Sequence, residues 1–193
     1  ESARVFAGQM VRNTATVAGN ICCGSPAADL VPPLMALGAT VTLQAGKTSR
    51  EVPLDAYFTG YKTSVRRPDE LITAISWPRP GGASASRFYK LARRKGDAIT
   101  VVGVSAFVSM KSGACAEVRI ALGAVGPCVF RARKAEALLR GQTPTAELVA
   151  RAAAQAAAEA TPIDDIRATG AYRKEQVEVL VGRLLKQTIE SLS

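Results

Sequence analysis

With 193 residues, 48% of them hydrophobic and 21% charged, the chain has enough apolar surface to offset the entropy of ordering, so it is expected to fold throughout, as one large domain or two small ones. The net charge of +9 invites a nucleic-acid partner. However, the basic residues are dispersed, with short runs only at Arg66-Arg67 and Arg93-Arg94-Lys95, and no recognition-helix, RNA-recognition or zinc-finger pattern occurs. There is no histidine, and none of Cys22, Cys23, Cys115 and Cys128 forms a CxxC pair. Histidine triads and the usual zinc patterns are therefore excluded, and any redox chemistry needs an organic cofactor.

No apolar run approaches the roughly 18 to 20 residues that span a bilayer. Glu1 to Ala7 lacks an initiator Met and the basic start and apolar stretch of a signal peptide. It reads as the middle of a helix, which predicts a fragment of a longer chain. With no secretory signal, the cysteines are expected as reduced thiols.

In chain order, a helix end is followed by a loop of small and polar residues from Asn13 to Ser25. Pro32-Pro33 before Leu34-Met35-Ala36-Leu37-Gly38 predicts a short helix with proline in its first turn and glycine just past its end. Val41-Thr42-Leu43 and Arg50-Glu51-Val52-Pro53 flank Ala45-Gly46-Lys47 as a hairpin, and Glu70 to Trp77 is a further strand. The run Pro78-Arg79-Pro80-Gly81-Gly82-Ala83-Ser84 marks a break between two units, 1–80 and 85–193. The second unit opens with strands at Phe88-Tyr89-Lys90-Leu91 and Ile99-Thr100-Val101-Val102. A turn at Lys111-Ser112-Gly113 leads to Glu117 through Leu122. Helices follow at about 133–139, 146–160 and 172–192, the last placing Val177, Leu180, Val181, Leu184 and Leu185 on one face. Strands first and helices after make this half α+β.

Chemistry concentrates in Gln9 to Asn20 and Ser25 to Asp29. Small residues at Ala15, Ala18 and Gly19 allow a backbone to approach a bulky ligand, and glycine lets main-chain N–H groups turn toward an anion. Hydroxyls of Thr14, Thr16 and Ser25 and the Asn20 amide can donate to phosphate oxygens, while Asp29 can accept from sugar hydroxyls. The set suits a pyrophosphate carrying a polyol. The same residues also suit an ordinary Gly/Asn/Thr turn.

The segment Gln9-x-Val11-Arg12-Asn13-x-Ala15-Thr16-Val17-x-Gly19-Asn20-Ile21, continued by Ser25-Pro26-Ala27-Ala28-Asp29-Leu30-Val31-Pro32-Pro33-Leu34, resembles the second flavin-contacting segment of the FAD subunits of molybdenum hydroxylases, the family of xanthine dehydrogenase and aerobic carbon monoxide dehydrogenase. Asp69-Glu70-Leu71-Ile72 resembles that family's next segment, and Tyr89-Lys90 with Arg93-Arg94 and Gly96-Asp97 the opening of its C-terminal domain. Arg131-Ala132, Glu136, Leu139, Gly141, Asp164, Arg167, Tyr172 and Arg173 match landmarks near its end. The similarity runs in order along essentially the whole chain. Two departures stand out: Ala18 occupies the place of a usual glycine, and the family's earlier glycine-rich segment has no counterpart here.

The resemblance implies an α+β fold: the C-terminal part of a PCMH-type FAD-binding domain, then a small antiparallel sheet with a helical bundle. It implies Thr16, Ala18, Gly19, Asn20, Ser25 and Asp29 along the FAD phosphate and ribityl region, with Leu71 and Lys90 beside the flavin ring. It also implies a partner large subunit with the molybdenum cofactor and a small subunit with [2Fe–2S] clusters, assembled as a dimer of heterotrimers. This chain would be the cytoplasmic oxidoreductase component that carries electrons through FAD to an external acceptor. The rival readings are a flavin-free structural or docking subunit and a basic nucleic-acid-binding protein.

Overall fold

The computed structural model describes residues 1–192. Residues 2–36 form four short helices: α1 (Ser2–Val5), α2 (Gln9–Thr14), α3 (Val17–Cys22) and α4 (Val31–Ala36). This corrects the open loop expected from Asn13 to Ser25. Thr16 caps α3, its Oγ1 accepting the Gly19 N–H at 2.9 Å. That bond satisfies one of the amides a helix start leaves unpaired, so small polar residues that suit a turn here begin a helix instead. Pro32 and Pro33 lie in the first turn of α4, and Gly38 follows its end at φ +73°, as expected.

Strand β1 (Thr40–Ala45) pairs antiparallel with β2 (Thr48–Pro53) across a two-residue Gly46-Lys47 turn. After a single 3-10 turn (Leu54–Ala56) comes a small ribbon, β3 (Phe58–Gly60) with β4 (Thr63–Ser64). Strand β5 (Leu71–Ser76) then returns to the free side of β1, giving the order β2-β1-β5. The ribbon was not expected from sequence, since its strands are too short to show an alternation.

The second sheet is a four-stranded antiparallel meander of β6 (Ala83–Ala92), β7 (Thr100–Lys111), β8 (Ala114–Gly123) and β9 (Phe130–Arg131). Ser112 and Gly113 make the β7–β8 turn with φ of 52° and 78°, the left-handed pair that matches the twist of a tight hairpin. Helices α5 (Arg133–Leu139), α6 (Ala146–Glu159) and α7 (Gly170–Glu190) complete the chain. Thr145 and Thr169 cap α6 and α7 by accepting the N–H groups of Leu148 and Tyr172. The cap at Thr169 starts α7 two residues ahead of its expected start.

Strand β7 shows why the sheet lacks alternation: both of its faces are covered, so nearly every position is apolar or small. Val102, Val104, Ala106 and Val108 join Ile120, Leu122 and α5–α7 residues such as Leu139, Val181 and Leu185 in one core. Phe107 and, from β8, Ala121 turn the other way, into a second core with Ile21, Val31, Met35, Val41, Leu43 and Tyr57. Burying one Leu or Ile contributes about 1.5 to 3 kcal/mol. Where the charged residues are buried, they are paired. Glu136, 1% exposed, accepts the Ile120 N–H and a two-pronged contact from Arg131, whose guanidinium also reaches Asp55 on the 3-10 turn. The two sheets are thus joined by an ion pair as well as by shared core.

Candidate functional site

The site is built on α2 and α3. At its start Ala7 takes φ +43°, a left-handed turn that a non-glycine residue adopts only under restraint. Arg12 supplies it: its Nη1 donates to the carbonyls of Phe6 at 2.7 Å and Ala7 at 2.5 Å, and Nη2 donates to Gln9 Oε1. Gly8 then passes so close to the β6–β7 loop that a Cβ there would sit 3.3 Å from Asp97 Oδ1.

Thr16 is exposed at the N-cap of α3, with Ala18 half-buried and Gly19 exposed behind it. The Thr16 oxygen accepts from Gly19, leaving the hydroxyl proton to donate outward. A Cβ on Gly19 would lie 2.9 Å from that oxygen, so any other residue there would have to displace the Thr16 hydroxyl from this position. Asn20 is half-buried, and its Oδ1 accepts the Leu30 N–H at 3.2 Å, so only the donor end of the amide is available to a ligand. Ser25 Oγ accepts the Ala27 N–H at 3.2 Å within a tight turn. Past Cys22, α3 ends against the β3–β4 ribbon: Lys62 N–H donates to Gly24 O, and a Cβ on Gly24 would be 3.0 Å from Lys62 Cα. Cys22 and Cys23 are exposed there, whereas Cys115 is buried.

Asp29 departs from its expected role. It is 5% exposed, and both carboxylate oxygens are spent on the protein: Oδ2 accepts from Lys90 Nζ at 2.6 Å, and Oδ1 accepts from Thr100 Oγ1. Its carboxylate therefore fixes Lys90 rather than waiting for a sugar hydroxyl. Lys90, with a side chain 6% exposed, also donates to the Val5 carbonyl at 3.2 Å. Three separated segments meet at this lysine: the end of α1, the turn before α4, and β6. Thr100 and Arg12 were not singled out as site residues. Neither has a local sequence signal, because what selects them is a partner brought near by the fold.

Leu71 lies apart from this cluster at the start of the edge strand β5 and is 70% exposed. The residue before it is its anchor. Glu70 receives Nε and Nη2 of Arg50 at 2.7 and 2.9 Å and the Arg67 N–H at 2.7 Å. These donors, Arg50 foremost, hold the Glu70 carboxyl down to about 2. Beyond Lys90, the β6–β7 loop walls an open cleft of about 390 Å³ lined by Val5, Tyr89, Lys90, Arg93, Arg94 and Lys95. Among the described residues no group of three or more His, Cys, Asp or Glu could hold a metal ion, and no helix is long and apolar enough to cross a membrane.

The exposed Thr16 hydroxyl on α3, the exposed Leu71 on an edge strand and the cation-lined cleft beside Lys90 are the polar and apolar features that the two halves of the chain present to solvent. Residues 1–80 match the model of the FAD binding domain in molybdopterin dehydrogenase, and residues 87–188 match that of the CO dehydrogenase flavoprotein C-terminal domain. The chain belongs to this CO dehydrogenase flavoprotein family.

A solved structure of carbon monoxide dehydrogenase from Hydrogenophaga pseudoflava superposes with a TM-score of 0.94 at 29% identity, covering 98% of this chain and 66% of that one. The glyceraldehyde dehydrogenase medium chain of Sulfolobus acidocaldarius is 30% identical over 184 residues, which is 95% of this chain and 65% of the relative. Xanthine dehydrogenase of Emericella nidulans is 33% identical over 141 residues, 72% of this chain and 10% of the relative. The chain thus spans about two thirds of the medium-chain relative and about a tenth of the long fungal enzyme. The α+β architecture that the resemblance implied, part of an FAD-binding domain followed by a small antiparallel sheet with a helical bundle, is the one found.

Proposed function

We propose that this chain is the FAD-binding, electron-transferring component of a molybdenum hydroxylase. The observation that carries the reading is the exposed turn Thr16 to Asn20 on α3, set within the residues that match the FAD-binding model. When bound, FAD can take up electrons one at a time and give them up in pairs, and the protein's part is to hold and tune it.

In this reading the Thr16 hydroxyl, the backbone at Ala18 and Gly19, the donor end of Asn20 and the Ser25 hydroxyl meet the pyrophosphate and ribityl chain. Leu71 supplies an apolar wall for the ring system. Lys90, oriented by Asp29 and the Val5 carbonyl and partly neutralised by that carboxylate, lines the cleft together with Arg93, Arg94 and Lys95, and in this reading their summed positive field stabilises the anionic reduced flavin. Residues 1–80 then form the flavin lobe and 85–193 the C-terminal domain. The electrons reach this component from [2Fe–2S] clusters on a small subunit, after substrate oxidation at a molybdenum cofactor on a large one, and leave to an external acceptor. The assembly is a cytoplasmic dimer of heterotrimers.

The test is to release the cofactor with acid from the purified native complex and identify it by chromatography. FAD is expected in a ratio of one per copy of this chain. Recovery of FMN alone from undegraded protein, or a colourless complex, overturns the assignment.

A further inference from the structure

The segment joining α6 to α7 holds two large aliphatic side chains in solvent on an unusually well-bonded frame. Ile163 is 73% exposed and Ile166 is 88% exposed. Around them, Asp165 accepts from the Arg167 N–H at 2.7 Å and from its Nη1 at 2.9 Å, and it lies 2.7 Å from Nη2 of Arg173. The Asp165 N–H donates to Ala168 O, the Gly170 N–H to Asp164 Oδ1, and Nη1 of Arg93 to the Ile166 carbonyl at 3.0 Å. A Cβ on Gly170 would stand 3.0 Å from Pro162 O, so the loop also closes tightly on the start of α7. Single exposed apolar residues are common and mean little. Two of them displayed on a loop already ordered by this many bonds are different, because the entropy of ordering that a partner would otherwise have to offset is already spent.

We propose that Ile163 and Ile166 anchor the iron–sulfur protein of the complex, which meets them with an apolar recess bordered by acidic residues. The inference rests on the function proposed above and says where that function's electron donor sits.

Charge argues for the acidic border. Arg93, bonded to the Ile166 carbonyl, and Arg167 within the loop flank the isoleucines, and the exposed Arg94 and Lys95 continue the basic run from Arg93, while the loop's own carboxylates are Asp164 and Asp165, the last already held by Arg167 and Arg173. The excess is positive, which favours an acidic partner and disfavours a second copy of this chain. Position argues for the electron donor. Arg93, whose guanidinium holds the Ile166 carbonyl, lines both the cleft beside Lys90 and an adjoining cleft of about 380 Å³ with Arg167 and Tyr172. A partner seated on the isoleucines is therefore separated from the Lys90 side only by the end of β6.

The test uses the whole complex, purified through a tag on this chain, with iron, molybdenum and flavin measured against protein. In Ile166→Asp and Ile163→Asp the iron retained per flavin after dilution is expected to fall about tenfold, the effect of losing one interface anchor. Flavin and molybdenum contents should hold. Both side chains are exposed, so folding is not at stake, and circular dichroism confirms it. Lys95→Glu is expected to shift the loss of iron to lower salt than in the wild type. If iron stays at the wild-type ratio in both isoleucine variants, or if molybdenum is lost and iron kept, the assignment is overturned while the functional reading stands. A wild-type complex free of iron overturns the functional reading, and this inference falls with it.

Discussion

The β7–β8 half of the molecule and its N-terminal helices are held in different ways. Around β7 and β8, stability comes from area: long strands and three helices close on Val104, Ile120, Leu122, Leu139 and Leu185, and the polar side chains buried there, such as Glu136, Arg173 and Thr188, are bonded to backbone within it. Around α1 to α3 no helix exceeds six residues, Ile21 is the one fully buried side chain these helices provide, and the order comes from single polar bonds. Helices that short are unstable alone. Arg12 restrains the turn at Ala7, Thr16 caps α3, Asn20 holds Leu30, and Asp29 ties Lys90 to Val5 through one buried pair. The proposed ligand surface thus lies where the chain is least able to order itself. It is positioned by the firmer half, because Lys90 and Thr100 both belong to the second sheet.

Breaking the buried pair should give the largest effect. Asp29→Ala leaves the Lys90 ammonium buried without its counter-ion and the Thr100 hydroxyl without its acceptor, for an expected loss of about 3 to 5 kcal/mol. The comparison is Leu185→Ala, expected to cost about 2 to 5 kcal/mol by cavity formation in the helical core. Denaturant unfolding together with flavin content separates the two regions. At temperatures where both variants remain folded, Asp29→Ala should lose flavin and Leu185→Ala should keep it. Equal flavin retention would show that the second sheet does not position the site.

Asn20 sharpens the same contrast at smaller cost. In Asn20→Ala the Leu30 N–H loses its acceptor, so about 1 kcal/mol of stability and most of the flavin are expected to go together. Asn20→Asp keeps an acceptor for Leu30 but replaces the donor with a negative charge facing phosphate. Stability should hold while flavin affinity drops about tenfold or more, read by fluorescence titration. If Asn20→Asp binds flavin as the wild type does, the donor end of Asn20 is not a phosphate contact.

The smallest effect belongs to the first sheet. The folded-state carboxyl of Glu70 lies at about 2, well below the ordinary value of 4.5, because Arg50 and the Arg67 amide favour its charged form. Its contribution is therefore complete above pH 4.5 and is lost as pH falls from there through 2. Wild type and Glu70→Gln should differ in unfolding midpoint at pH 7, and the difference should shrink across that window. A gap that does not change between pH 5 and pH 2.5 would exclude this ion pair as its source.

Much of the second sheet and its helices was legible in the sequence. The β-branched run around Val101 and Val102, the Ser112-Gly113 turn and the helical spacing of Val177 to Leu185 each carry a local period. The ordered landmarks from Gln9 to Arg173 made the family legible too. What stayed hidden was non-local or too short. Thr16 and Gly19 suggested a loop because turn preferences and helix caps draw on the same residues, and only the backbone distinguishes them. Asp29 seemed free to meet a sugar because nothing near it in sequence announces Lys90, 61 residues away. The β3–β4 ribbon had no period to show.

The sharing of β7 and β8 between two cores bears on how this chain can be dissected. The stretch from Pro78 to Gly82 is a natural place to cut the polypeptide, yet a cut there does not divide the buried surface. Phe107, Ala121 and Val129 lie on the C-terminal side of it in sequence while packing into the core of Ile21, Met35, Val41 and Tyr57. A piece beginning at β6 would carry one wall of a hydrophobic chamber into water, and a piece ending at Pro80 would lack that wall altogether. For recombination, library design or fragment expression, the workable unit is set by that chamber and contains both sheets.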